Sequence, residues 1–297
     1  MEAEFDEKLL QTFDDEILIH YIESSPTSKE SGAVFFLSPN LVAKECGFIR
    51  EDGIRAMKLA HELRVRVPDI KRVIEWDKER YIIMSRVNGP NLNDCWHQLD
   101  LITTIKLAFQ LRSFIHRMRS KTSLTAGGLV TGIARSLWID DYYKLPPHAS
   151  TECVAAFFNF WGNFVPDNCW IQAKSWSPIF FPPDEPLVFT HQDLAPRNLL
   201  VDDTNQLWLV DWEFSGWFPT YLEYVSMHNF WIPRHWTWWD KLKWKVFSWI
   251  STGRFKAQNV ALRRARDLFM ENYGSRESEV MIEGAEWDDL SQRRPGR

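Results

Sequence analysis

The segment from Leu187 to Glu213 constrains this chain more than any other part of its sequence. Three short apolar runs, at 187–189, 199–201 and 207–210, alternate there with polar residues. Runs of this length, rich in Val and Leu and bounded by turn residues such as those at 202–205, are typical of buried strands. The pattern therefore predicts strands with polar groups at their ends.

Asp193, Asn198 and Asp211 stand at these predicted strand ends. A carboxylate can orient an attacking hydroxyl and accept its proton. An Asn oxygen and a second carboxylate can hold Mg²⁺ on a nucleoside triphosphate, because Mg²⁺ prefers hard oxygen ligands. The order H-x-D-L-x-x-x-N, then two strands and D-x-E, is that of a kinase catalytic loop with Gln192 in the place of Arg. We expect phosphoryl transfer; the alternative is a pair of hairpin strands with polar turns.

Residues 190–201 and 210–223 resemble the aminoglycoside phosphotransferase (APH)-like kinases, particularly their fungal branch, which carries HxDLxPRNxLVD and DWExxGxxPxxxE. The resemblance implies an α+β, protein-kinase-like, two-lobed fold that uses ATP and Mg²⁺. A small antiparallel-sheet lobe is expected at 1–86, a large and mainly helical lobe at 87–285, and a disordered tail at 286–297.

The same resemblance assigns roles to the residues of the motif. It makes Asp193 the catalytic base and gives Asn198 and Asp211 to Mg²⁺. Glu213 lies two residues beyond Asp211 and so on the same side of an extended segment, where it can hold a second Mg²⁺ through water. For Arg197 two roles stay open, since it can touch the γ-phosphate or be structural.

The N-terminal part offers residues for the nucleotide. Runs at 34–37 and 41–44 predict two strands, and the second ends on Lys44, whose compact charge suits phosphate oxygens. The alternative is a strand-end Lys in solvent. The segment Ser85, Arg86 and Val87 is similar to the family's hinge, where backbone groups hold adenine.

A helix predicted from Ile54 departs from the family pattern at its start. The family places a Glu there to pair with the Lys, but the corresponding residue is Gly53, preceded by Glu51 and Asp52. Either one of these acids replaces the Glu, or the ion pair is missing. In the second case activity is impaired. The missing Glu is the one feature that supports the alternative function, a pseudokinase that acts as a nucleotide-binding or interaction module.

Composition narrows the function classes. A net charge of −5 gives no reason to expect nucleic-acid binding. The four Cys show neither metal nor disulfide spacing, which favours a reduced, cytoplasmic setting. No apolar run reaches membrane-spanning length, so no transmembrane segment is predicted.

The acceptor is predicted to be a small-molecule hydroxyl. After Glu213 the chain turns almost at once into a predicted helix at 221–230, which leaves no room for the long segment that would bind a protein substrate. An aminoglycoside and a choline- or ethanolamine-like alcohol both remain open.

Two further helices are predicted, at 101–118 and 236–250. The second contains Trp236, Trp239, Leu242, Val246 and Ile250 at helical spacing, with Lys residues between them. This stripe is expected to pack on the helical lobe. The alternative is that the helix lies on a membrane surface.

Overall fold

The structure of the protein is a computed structural model that describes residues 5–28, 32–46, 50–77, 79–136, 138, 145–163 and 180–272. The chain divides into two compact units. The first unit comprises Met1–Cys95 and Pro196–Glu213, and the second comprises Trp96–Ala195 and Phe214–Arg297. The predicted lobe limits at 1–86 and 87–285 remain a prediction. The predicted tail at 286–297 lies outside the described residues.

The first unit is built on an antiparallel sheet with strand order β1-β2-β4-β3. A separate hairpin, β7–β8, belongs to its second segment. The elements are α1 (Asp15–Ser24), β1 (Val34–Phe36), β2 (Leu41–Glu45), α2 (Arg50–Glu62), β3 (Ile70–Trp76), β4 (Glu79–Ser85), α3 (Leu92–Cys95), β7 (Leu199–Val201) and β8 (Leu207–Leu209).

The side chains of strand β2 alternate between the two faces of the sheet. Leu41 and Ala43 are buried, and they join a core that includes Leu18 and Ile22 of α1. Because side chains alternate across a strand, Lys44 points to the opposite face of the sheet. Its side chain is 19% exposed, so it is not a strand-end Lys in open solvent.

The second unit is mainly helical, with a small antiparallel sheet of order β5-β6-β9. Its elements are α4 (Leu101–Arg119), β5 (Thr122–Ser123), α5 (Thr151–Asn163), β6 (Leu187–Thr190), β9 (Gly216–Pro219), α6 (Tyr221–His228), α7 (Trp238–Thr252) and α8 (Lys256–Asn272). Its core contains Phe157 and Phe158 of α5, both fully buried. The sheet and helices of the two units confirm the predicted α+β class.

The packed face of α7 differs from the predicted stripe. The helix begins at Trp238, after a capping box in which the Thr237 hydroxyl accepts from the Asp240 amide. Its buried face carries Trp244 and Phe247 instead of the stripe. Both rings pack on Trp96, with centroids 5.2 and 5.4 Å away.

Most residues of the predicted stripe do not lie on this buried face. Trp239, Leu242 and Val246 are 45%, 42% and 41% exposed. Trp236 precedes the helix and is buried in a stack on Trp96, with 5.7 Å between ring centroids. The prediction that the stripe packs was wrong for these three helical residues, because the aromatic partners available in the core fix a different rotation of the helix. Among the described helices, none combines the length and the apolar character needed to cross a bilayer.

Candidate active site

Asp193 lies in the loop that follows β6. All four residues of β6 are buried, and Asp193 itself is 5% exposed. Its amide donates to Nδ1 of His191 at 3.2 Å. Since Nδ1 accepts this bond, the neutral imidazole carries its proton on Nε2. His191 therefore supports the loop through its ring, and Asp193 is held on a buried segment.

Glu223, on α6, fixes the backbone of the same loop. Its two carboxylate oxygens accept from the amides of His191 and Gln192, the second at 3.2 Å. Glu223 is 1% exposed, and burial raises its pKa to about 7, although these hydrogen bonds and Arg119 act in the opposite direction. The sequence motif contained this Glu as its last letter but indicated no role for it.

Gln192 has a backbone conformation that the sequence did not indicate. Its φ is +65°, in the left-handed region that non-glycine residues seldom adopt. The side-chain amide donates to the Phe214 carbonyl at 2.7 Å. Its Oε1 atom is buried without a hydrogen-bond partner among the described residues. The residue between His191 and Asp193 is thus held in a strained conformation that several contacts support.

Asn198 and Asp211 lie at the same end of the β7–β8 hairpin. Leu199 pairs with Leu209 in the ladder, and the Val210 amide donates to the Asn198 carbonyl at 3.1 Å. Asn198 is buried, whereas the Asp211 side chain is 38% exposed. Asp211 also has a left-handed backbone, with φ +68°. The hairpin brings these two predicted metal ligands together.

Lys44 joins this group from β2. Its Nζ atom lies 2.5 Å from Asp211 Oδ1 and 3.5 Å from Glu213 Oε1. Burial lowers the pKa of Lys44, but the two carboxylates outweigh burial, and the pKa is raised above its ordinary value. Lys44 is therefore firmly charged beside two acids.

The start of α2 carries the two acids predicted to replace the missing Glu. Asp52 is 1% exposed, and the ion pairs described above for Lys44 do not include it. A Cβ atom on Gly53 would lie 3.5 Å from the Trp212 carbonyl oxygen, so this position faces the segment that carries Asp211 and Glu213. Glu51 instead lies 3.9 Å from Arg80, and its side chain is 62% exposed. In the described part of the chain, the ion pairs of Lys44 are with residues 211 and 213, and neither belongs to α2.

The predicted hinge residues Ser85, Arg86 and Val87 lie at the end of β4 and just beyond it. The Ser85 amide donates to the Asp69 carbonyl at 2.9 Å, and the Arg86 amide donates to the Asn40 carbonyl at 2.7 Å. The backbone donors of these two residues are therefore already used within the sheet. A donor for a purine ring would have to come from Val87 or later.

The remaining predicted phosphate contact, Arg197, is exposed within the 3-10 turn Pro196–Asn198. The described residues contain no cluster of three or more His, Cys, Asp or Glu side chains suited to a metal ion. The donor set of Asn198, Asp211 and Glu213 nevertheless fits Mg²⁺, because its atoms are hard oxygens and two of the three residues bear a negative charge.

Comparison with known proteins supports the phosphotransferase interpretation. Residues 158–250 match the family model described as the phosphotransferase enzyme family, APH. No curated protein matches the chain.

The fold has similar solved structures. Aminoglycoside phosphotransferase APH(2'')-Ib, in an ADP-bound form, matches with a TM-score of 0.51 and 16% identity, over 94% of this chain and 97% of that one. A thermostable mutant of APH(4)-Ia, in a ternary complex with ADP and hygromycin B, matches with a TM-score of 0.50 and 13% identity, over 93% and 97% of the two chains. These similarities confirm the predicted protein-kinase-like fold. The chain thus has the fold of the aminoglycoside phosphotransferases, and its residues 158–250 match the phosphotransferase enzyme family.

Proposed function

We propose that the protein transfers the γ-phosphoryl group of ATP to a hydroxyl group of a small molecule. In this reaction a bond forms between the acceptor oxygen and the γ-phosphorus. The bond from that phosphorus to the β–γ bridging oxygen breaks, and ADP leaves with the electron pair. The family match at 158–250 supports the reaction class. The observation that carries the proposal is the buried Asp193, held on a loop whose backbone is fixed by Glu223.

Asp193 is proposed as the base that takes the acceptor proton. Its backbone amide is tied to His191, and the amides of the two preceding residues are tied to Glu223. A base held in this way needs little reorganisation to meet a hydroxyl, which is how positioning contributes to phosphoryl transfer. Arg197 is exposed on the 3-10 turn Pro196–Asn198, and it is proposed either to contact the γ-phosphate or to be structural.

Lys44, Asp211 and Glu213 are proposed to hold the triphosphate end of the nucleotide. The Lys44 ammonium, already charged beside two acids, can turn to phosphate oxygens. Asn198 and Asp211, with Glu213 beside them, would hold Mg²⁺, which when bound neutralises the charge of the phosphates. Adenine is proposed to lie against the segment Ser85, Arg86 and Val87. Within this segment, Val87 is the residue whose backbone N–H can donate to the purine ring.

The acceptor is proposed to be a small molecule because little chain separates Glu213 from α6. Strand β9 starts at Gly216 and α6 starts at Tyr221. An extended peptide substrate would need a longer platform. One of the similar structures is a complex with hygromycin B. For this chain an aminoglycoside and a choline- or ethanolamine-like alcohol are both candidates. The fungal branch and the cytoplasmic location remain predictions.

A second candidate is a pseudokinase, and one specific observation favours it. Helix α2 provides Gly53 where a Glu is expected, and Lys44 pairs with Asp211 and Glu213 instead. Such a protein would bind ATP without transferring its phosphate. The two candidates predict the same nucleotide binding and different turnover.

The test is consumption of ATP with a panel of alcohols, for the wild type beside Asp193→Asn. The amide keeps the size of the side chain but cannot take a proton, so we expect turnover to fall by about 10²–10⁴-fold. Nucleotide affinity, measured by calorimetry, should change little. ATP binding with no turnover on any acceptor would favour the pseudokinase. Equal turnover in both proteins would exclude Asp193 as the base.

A further inference from the structure

Helices α4 and α7 lie side by side in the second unit. Near the start of both helices, Lys243 Nζ donates to the Leu99 carbonyl at 3.0 Å. Farther along, Arg112 Nη1 donates to the Ile250 carbonyl at 2.9 Å. The two helices therefore run in the same direction and form one continuous outer surface.

This surface exposes large apolar side chains, although each helix also has a buried apolar face. We call it the α4–α7 face, and it consists of Leu101 (51% exposed), Ile102 (69%), Ile105 (44%), Phe109 (58%), Trp238 (74%), Trp239 (45%), Leu242 (42%), Val246 (41%) and Trp249 (55%). Two of the α4 residues and three of the α7 residues line one shared groove. Large apolar side chains that are grouped on one exposed surface mark an interaction site in a folded protein.

The groove is too small to be a second substrate site. Its volume is about 120 Å³, whereas sites for small molecules typically measure about 300–1,000 Å³. The two most exposed Trp side chains of the face, Trp238 and Trp249, project from the surface. A binding partner must therefore accommodate protruding Trp rings. A fluid lipid surface does this more readily than a rigid pocket on another protein.

The charges on the two helices have one sign. Helix α4 contains no acidic residue, and the only acid of α7, Asp240, is 4% exposed. The exposed charged residues are Lys106, Arg112, Lys241 and Lys245. Asp100, the N-cap residue just before α4, is an exposed acid, and its side chain accepts a hydrogen bond from the Thr103 amide. A chain with a net charge of −5 thus presents a cationic apolar face here.

We infer that the α4–α7 face docks on the surface of a membrane that contains anionic lipid. Trp is amphipathic and favours the level of the lipid headgroups. Lys side chains can extend their charges to lipid phosphates while their stems lie on apolar surface. The inner face of α7 supports this arrangement, because Trp244 and Phe247 fix the rotation of the helix and keep its outer Trp residues exposed.

The test is flotation of the full chain with phosphatidylcholine vesicles, with and without phosphatidylserine. We expect binding that requires phosphatidylserine and decreases as salt is added. Two double variants, Trp238→Ser/Trp249→Ser and Lys241→Glu/Lys245→Glu, should each lower the partition coefficient by about tenfold or more. All four residues are exposed, so the fold should be kept, and circular dichroism checks this.

Matched controls lie outside both helices. Leu124 is 90% exposed and Lys121 is exposed, so Leu124→Ser and Lys121→Glu should leave vesicle binding unchanged. Failure of the wild type to bind phosphatidylserine vesicles would overturn the inference, as would equal binding by the double variants. Dimers in light scattering that the Trp double variant abolishes, without any vesicle binding, would assign the face to a second copy of the chain instead.

Discussion

Replacing Glu223 by Gln tests whether one buried carboxylate holds the loop that carries Asp193. Glu223 is 1% exposed and accepts from the amides of His191 and Gln192. Gln has nearly the same size but only one acceptor oxygen, and its NH₂ group would face one of the two amides. One buried N–H then loses its acceptor, which costs about 1–3 kcal/mol in the free energy of unfolding.

The pH dependence gives a sharper test. Burial raises the pKa of Glu223 from an ordinary 4.5 to about 7. Between these values the folded protein keeps a proton that the unfolded chain releases, so the stabilising effect of this proton is complete below pH 4.5 and is lost as the pH rises through 7. One pKa unit corresponds to about 1.4 kcal/mol, so this group lowers the free energy of unfolding by about 3 kcal/mol across that interval. Gln cannot contribute this dependence.

The assay is urea unfolding of the wild type and Glu223→Gln at several pH values from 4.5 to 8. The free energy of unfolding of the wild type, relative to the variant, should decrease by about 3 kcal/mol as the pH rises. Glu62→Gln is the control, because the Glu62 side chain is 58% exposed. Hydrogen exchange at His191 and Gln192 should accelerate in the Glu223 variant alone. Parallel pH curves for wild type and Glu223→Gln would refute the reasoning.

Three other substitutions test packing by the same unfolding assay. Gly89→Ala should cost at least about 2 kcal/mol, because its Cβ would lie 2.0 Å from the Val201 carbonyl oxygen; a neutral effect would contradict that close approach. Gly53→Ala should stabilise by about 0.5–1 kcal/mol through helix propensity, because its Cβ meets the Trp212 carbonyl at an ordinary 3.5 Å, and a loss of stability would show tighter packing than this distance. Lys243→Met should cost about 3 kcal/mol, because the buried ammonium donates to two backbone carbonyls, and a change below 1 kcal/mol in either direction would count against its structural role.

The sequence by itself determined the elements around the candidate site. The runs at 187–189, 199–201 and 207–210 became β6, β7 and β8, because short apolar runs between turn residues have few other ways to be buried. The hairpin turn follows from Asp202, whose side chain accepts from the amides of Thr204 and Gln206. These are local effects, and local patterns encode them.

Only the tertiary structure decided which groups meet. Glu223 contacts the loop from 31 residues away, and Lys44 contacts Asp211 across 167 residues. The local spacing of residues in the sequence predicts neither contact. The outward rotation of α7 has the same origin. The sequence of α7 has two apolar faces. Trp96, which lies 142 or more residues away in the chain, packs on one of them and so determines which face is buried. Local pattern fixes what a segment can bury, whereas the partners in the core fix which face it buries.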